Sequence, residues 1–368
     1  MDFSVFEKVS KDQWIDKITA DLKGKSIDTL DWVINESLVV SPFKDGSDLN
    51  YSDSIDAVRK NNRWFAMDPI VINDDLAQAN GNILTALQGG ANGIRLYAHR
   101  SLSVEDLGTL FNEVYLDMIA LDWLMSGAIN VADQLTAIAS YVSAQGKSIA
   151  DINLSVDTNI GGLSRTLIAD HPSVRSITID GLAYYQGIAG VHQELGNILI
   201  ELYKAIEHIG SDKLDMIYES IQIKLAIDDC YLLNIAAARA IRHLVRLLFE
   251  GYGHTTDHDV FLSCILSEKI LTDDINYNRI KQSTAALSAV AASADSIQIY
   301  QDHQSNEETG AFSRKIARNI FHLLSMESYM DRVVDPAAGS YYIESLTDTV
   351  AQKGWEHFIE LWTKKNQA

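Results

Sequence analysis

At 368 residues and 47% hydrophobic content the chain can bury a large core, and four prolines with no low-complexity tract leave little room for a linker, so one large α/β domain is favoured over two. A net charge of −20 excludes nucleic acid or an anionic membrane as the main partner, since both need clustered positive charge, and any polyanionic ligand would need a local basic patch. Cys230 and Cys264 make no metal motif, and neither a secretory signal nor an apolar run of transmembrane length is present. A cytoplasmic setting with two small buried thiols is therefore expected.

Residues 1–60 read as an N-terminal arm, with a short helix around Trp14, Ile15 and Ile18 and an extended piece ending near Pro42. It straps the chain's own core or wraps a partner; the residues leave both open. From Arg63 a rhythm begins in which a β-prone run, a polar loop and a helical stretch follow one another eight times. The strands are expected at Trp64–Met67, Gly93–Tyr97, Tyr115–Leu121, Ile152–Val156, Ser176–Ile179, Ile221–Ile227, Val260–Leu266 and Ser296–Tyr300. The intervening helices carry one apolar stripe, as in Leu195, Ile198, Leu199, Leu202, Ile206 and Ile209, or Ile241, Leu244, Val245 and Leu248. Such alternation implies right-handed βαβ units, and eight of them close into a (β/α)8 barrel of the TIM type over residues 61–368. An open doubly wound sheet is the alternative, but no glycine-rich dinucleotide fingerprint follows the first strand.

In a barrel the residues just past each strand line the functional face. Here they are Asp68, His99, Asp157, Asp180, Asp228, Asp229 and Gln301, each able to serve only as a helix cap, but together suggesting a pocket. The loop IDGLAYYQGIAG, residues 179–190, adds Tyr184 and Tyr185 between glycines. His254 and His258 lie four apart, but Gly251, Gly253 and a Thr-Asp run mark their segment as an exposed loop rather than a metal-binding helix. Arg239, Arg242 and Arg246 share a helical face that could meet phosphates, though a solvated or partner-facing stripe is the expectation. No nucleophile elbow, P-loop or HExxH is present.

The end of the chain begins with an amphipathic helix carrying Ile316, Ile320, Leu323 and Leu324. Asp335-Pro336-Ala337-Ala338-Gly339 is a turn, in which proline fixes φ and glycine permits a left-handed residue. Tyr341 to Ile343 are expected to run extended, and Ser345 with Asp348 resembles a capping box opening the last helix, whose apolar side holds Leu346, Val350, Phe358, Leu361 and Trp362.

RKIARN followed by DRVVDPAAGSYYIESLTD resembles the end of the barrel domain in methylmalonyl-CoA mutases, and FEKVSKDQW, DLKGKSIDTLDW and VVSPF resemble the N-terminal extension of that family's small, non-catalytic subunit. The resemblance runs from Phe6 to Phe358. It implies a family that interconverts methylmalonyl-CoA and succinyl-CoA by radical rearrangement on adenosylcobalamin. By the same resemblance Tyr185 stands where catalytic subunits have a histidine that contacts the thioester carbonyl. A phenol donates one hydrogen bond there but does not take an imidazole's part in proton transfer.

Other motifs of catalytic subunits are replaced by SEKILTDD at 267–274 and by SIQIY at 296–300. None of the ten histidines is followed by glycine three residues later, so the family's DxHxxG cobalamin motif is missing. The resemblance thus implies a chain with no cobalamin-binding domain and no cofactor or metal of its own, paired as a heterodimer with a catalytic large subunit that carries adenosylcobalamin. Two alternatives stay open: a barrel active with a separate cobalamin-binding chain, with Tyr184, Tyr185 and Gln301 holding substrate, or a barrel that binds acyl-CoA without converting it.

Overall fold

The computed structural model describes residues 9–48, 62–126, 129–158, 162–256, 258–299 and 307–367. Helix α1 (Lys11–Asp21) starts at Ser10, whose hydroxyl accepts from the Gln13 amide while the Gln13 side chain accepts from the Ser10 amide. No residue of α1 is buried; Trp14 stacks on Phe43 with ring centroids 4.3 Å apart. Strands β1 (Trp32–Asn35) and β2 (Leu38–Val40) form an antiparallel hairpin. Its inner side chains Ile34, Leu38 and Val40 join the main core, while Val33 and Val39, paired across the hairpin, face water.

The barrel follows as β3 (Phe65–Val71), β4 (Gly93–Ala98), β5 (Ala120–Met125), β6 (Asn153–Val156), β7 (Ile177–Asp180), β8 (Ile221–Ile227), β9 (Phe261–Leu266) and β10 (Ser296–Gln298). All neighbours pair in parallel, and β10 returns to β3. The seam between β6 and β7 closes through the bridge Ser155–Arg175, with Val156 donating to the Arg175 carbonyl and Arg175 donating to the Leu154 carbonyl. The chain is thus a (β/α)8 barrel.

Around it lie α2 (Leu76–Gln88), α3 (Val104–Leu110), α4 (Val131–Ala144), α5 (Arg165–Asp170), α6 (Val191–Ile209), α7 (Leu214–Glu219), α8 (Tyr231–Gly251), α9 (Ile275–Ala291), α10 (Glu307–His322) and α11 (Tyr341–Gln367). The predicted stripes of α6 and α8 are buried, each large apolar side chain contributing about 1.5–3 kcal/mol of burial.

Two expectations need correction. The third barrel strand is Ala120–Met125, not Tyr115–Leu121: Leu116–Met118 is a 3-10 turn with Tyr115 and Met118 exposed, and the buried run that follows carries Leu121 and Trp123. Tyr341–Ile343 are not extended; they open α11 four residues before Ser345, because Ile343, Leu346 and Val350 form one buried helical stripe against α6 and α8. The turn before α11 is as expected, with Gly339 at φ +77°.

Candidate functional site

The strands place alternate residues inside the barrel, and several of these carry charge. Arg95 of β4 is fully buried and donates to Asp122 Oδ2 of β5 at 2.7 Å, to Gln298 Oε1 of β10 at 2.6 Å and to Ser263 Oγ of β9 at 2.7 Å. Gln222 of β8 donates to the other Asp122 oxygen at 3.2 Å. Lys224, on the same strand, lies 3.5 Å from Asp122 and 2.9 Å from Asp157. Burial works against ionised Asp122, yet Lys224 and Arg95 beside it hold its carboxyl below the ordinary range. Every charge in this cluster is met by an opposite one, which is what a dry interior requires. Arg95, Lys224 and Asp122 are all buried in the barrel interior.

Above it, at the carboxyl ends of the strands, is a pocket of about 260 Å³. Arg95 and Lys224 form its floor, Asp180, Leu182 and Tyr185 one wall, and Ser267 to Lys269 the other. Tyr185 donates to Asp228 Oδ2 at 2.6 Å and is itself buried, and Lys269 donates to the Tyr185 carbonyl across the pocket. Burial, then the Asp228 carboxylate, drives the Tyr185 phenol above its usual range, so it remains a hydrogen-bond donor at any physiological pH. Burial likewise raises the Asp228 carboxyl.

Among the described residues the sequence-selected set converges only in part. Asp68 sits mid-strand in β3, buried, and accepts from Arg318 of α10 at 2.6 Å, on the opposite face of the sheet from its inward neighbours. His99 is exposed and 2.7 Å from Ser126 Oγ. Asp157 faces Lys224, and Asp180 accepts from the Leu182 amide at 3.0 Å at the exposed rim. Tyr184 turns away to Glu201 at 3.1 Å, and burial followed by that carboxylate pushes its phenol up to about 12. Gln301 and Tyr300 lie outside the described residues. Of the set, Asp180 and Tyr185 share the pocket.

Two further readings change. Arg239 and Arg242 are buried rather than solvated or partner-facing. Arg239 pairs with Asp335 and, at 2.6 Å, Glu344, while Arg242 donates to the carbonyls of Ala292 and Ser293 and lies 3.2 Å from Asp295. The C-terminal turn covers the face of α8 that a bare barrel would expose. His254 is mostly enclosed and 3.0 Å from Asp215, while His258, 3.1 Å from Glu219, is more open. Among the described residues no group of three or more metal-ligating side chains could hold an ion.

Sequence reading missed the lumen cluster and Glu194. The cluster's signal was a single charge in the middle of each of GIRLYA, ALDWLM and IQIKLAI, where an apolar core needs none. Glu194, in the first turn of α6, is buried and accepts the Ala226 amide at 3.0 Å, a donor that β7 is too short to satisfy.

The family model for methylmalonyl-CoA mutase matches residues 133–364. The chain is 29% identical to the methylmalonyl-CoA mutase small subunit of Porphyromonas gingivalis, over 98% of this chain and 64% of that protein. It is 28% identical to the small subunit of Streptomyces virginiae over 78% of this chain and 50% of that one, and 27% identical to the methylmalonyl-CoA mutase of Escherichia coli over 68% and 38%. The chain therefore spans between about a third and two thirds of the length of these relatives. Among solved structures, dihydropteroate synthase of Burkholderia cenocepacia aligns over 73% of this chain and 93% of that one with a TM-score of 0.40 and 10% identity, too slight a likeness to bear on function.

Proposed function

Because the chain belongs to the methylmalonyl-CoA mutase family, we propose that it acts as the barrel of a small subunit, supporting a catalytic large subunit of an adenosylcobalamin-dependent mutase without carrying out the rearrangement itself. The observation that carries this reading is the charge cluster inside the barrel: Arg95, Asp122 and Lys224 are buried and paired with one another rather than open to an acyl thioester. Tyr185 adds to it, since its hydroxyl is committed to Asp228 rather than turned towards a ligand.

Adenosylcobalamin is assigned to the partner. The rim pocket of about 260 Å³ is at the lower limit for even a drug-sized ligand, and no histidine lines it among the described residues, so it does not fit a corrin with an imidazole on cobalt.

The arm is assigned to the same partner. Helix α1 has no fully buried residue, and Leu30, Val33 and Val39 stay exposed, which suits an element with apolar surface left for a second chain. No helix among the described residues is long and apolar enough to cross a membrane, and a cytoplasmic heterodimer is the proposed setting.

Mixing the purified chain with a large mutase subunit from the same source, and following complex mass together with turnover of methylmalonyl-CoA, tests the reading. A one-to-one complex whose activity survives mutation of Tyr185 and Lys269 supports it. Turnover by this chain alone, or with only a cobalamin-binding chain added, overturns it.

A further inference from the structure

Strand register stacks the inward side chains below the rim pocket in two layers of different character. On β4 and β5 the pair Arg95 and Asp122 is followed, one inward position higher, by the pair Tyr97 and Leu124. On β8 and β9 the pair Lys224 and Ser263 is followed in the same way by the pair Ala226 and Ile265. A charged layer therefore lies beneath a largely apolar collar. The pocket is bounded by both, with Tyr97, Leu124, Ala226 and Ile265 at its sides and Arg95 and Lys224 at its floor.

The floor has donors to spare. Arg95 gives Nε to Asp122, Nη1 to Gln298 and Nη2 to Ser263, but each terminal nitrogen of a guanidinium carries a second N–H, and among the described residues neither of these has an acceptor. Lys224 bonds Asp157 at 2.9 Å and lies 3.5 Å from Asp122, which leaves part of its ammonium unspent. Unmet N–H groups on buried cations are costly, and an acceptor from outside would meet them. The charges are uneven as well. Asp122 and Asp157 neutralise Arg95 and Lys224, while Lys269 at the mouth is held by the Tyr185 carbonyl and by no carboxylate among the described residues. Asp180 and Glu268 oppose an anion only from the exposed rim, where water screens them, and Asp228 is covered by the Tyr185 hydroxyl.

We propose that the rim pocket binds a free short-chain monocarboxylate, with its carboxylate on the spare donors of Arg95 and Lys224, its alkyl tail in the collar, and Lys269 supplying the balancing charge. The pocket volume of about 260 Å³ is that of about eight waters, room for an acid of roughly five carbons and too little for a coenzyme A thioester. A second carboxylate at the far end of the tail would meet Asp180 and Glu268, so the site favours monoacids over diacids. Binding of this kind needs no catalytic partner and stands whether or not the chain pairs with one.

Titration calorimetry and saturation-transfer NMR on the full chain test this with pentanoate, its neutral amide, glutarate and inorganic phosphate. Pentanoate is expected to bind with a millimolar or lower Kd, and the amide and glutarate each about tenfold or more weaker. Ala226→Leu narrows the collar without touching a charge and is expected to weaken pentanoate by about tenfold or more, with Lys269→Met weakening it by a smaller factor. Should Ala226→Leu fail to fold, Leu182→Trp at the mouth gives the same comparison. Silence from pentanoate in both methods overturns the proposal. An amide that binds as well as the acid marks a merely apolar cavity, and phosphate that competes as strongly as the acid marks an unselective anion site; either result overturns it. Equal binding of glutarate removes the monoacid preference and overturns it too, as does pentanoate binding that survives the collar or mouth variant.

Discussion

Two of the buried ion-pair sets in this molecule do different things. Inside the barrel, Arg95 meets Asp122 of the neighbouring strand, and Lys224 reaches from β8 across the interior to Asp122 of β5 and to Asp157 just past β6, all within one closed sheet. Outside it, Arg239 meets Asp335 and Glu344, joining α8 to the turn and helix that end the chain, segments no sheet connects. The inner set lies within one sheet; the outer set fixes where an element goes. Removal of a charge should therefore be felt in the whole barrel in the first case and in α11 in the second.

The sharpest break is Asp122→Leu, which leaves Arg95 and Lys224 facing each other without their shared anion in a dry interior. A loss of about 3–5 kcal/mol in urea unfolding is expected, with all probes falling together. Arg239→Met should cost less, about 2 kcal/mol, because Asp335 and Glu344 keep some access to water; hydrogen exchange should report the loss first in α11. Equal loosening of the barrel and α11 in both variants would erase the distinction. Tyr185→Phe removes one hydrogen bond to a carboxylate at the rim, and about 1–2 kcal/mol is expected in thermal unfolding. Val33→Asp, on the outer face of the arm hairpin, should change stability by less than about 0.5 kcal/mol while abolishing large-subunit binding in a pull-down.

The same contrast decides what could be read from the sequence. The alternation of strands and helices was legible because each strand is a short apolar run and each helix has one buried stripe. The DPAAG turn was legible because proline and glycine constrain the backbone locally. Tyr115–Leu121 misled because its β-prone residues precede the strand rather than form it, and Tyr341–Ile343 misled because three β-prone residues were overruled by packing along a helix of 27. Arg239 and Arg242 could not be placed, since nothing local to α8 announces that a distant turn will cover it. At the rim, one strand-end rule gathered residues that the structure disperses: Asp68 to α10, His99 to Ser126 and Tyr184 to Glu201. A residue's position after a strand gives its height on the barrel, but the direction of its side chain depends on parity and on its partners.

The closure between β6 and β7 has a consequence of another kind. Every other junction in the wall is a ladder of paired residues, whereas this one is a single bridge, reinforced by the Arg175 side chain on Ser155 and Asn153. The buried apolar residues divide along nearly the same line, with β3 to β6 and their helices over one cluster and β7 to β10 with the arm hairpin and α11 over the other. A nick just after Thr158, which lies beyond the end of β6, would then cut no ladder. The two fragments, expressed separately, should find each other and restore the barrel, so the seam is the natural site for a split reporter or a circularly permuted chain.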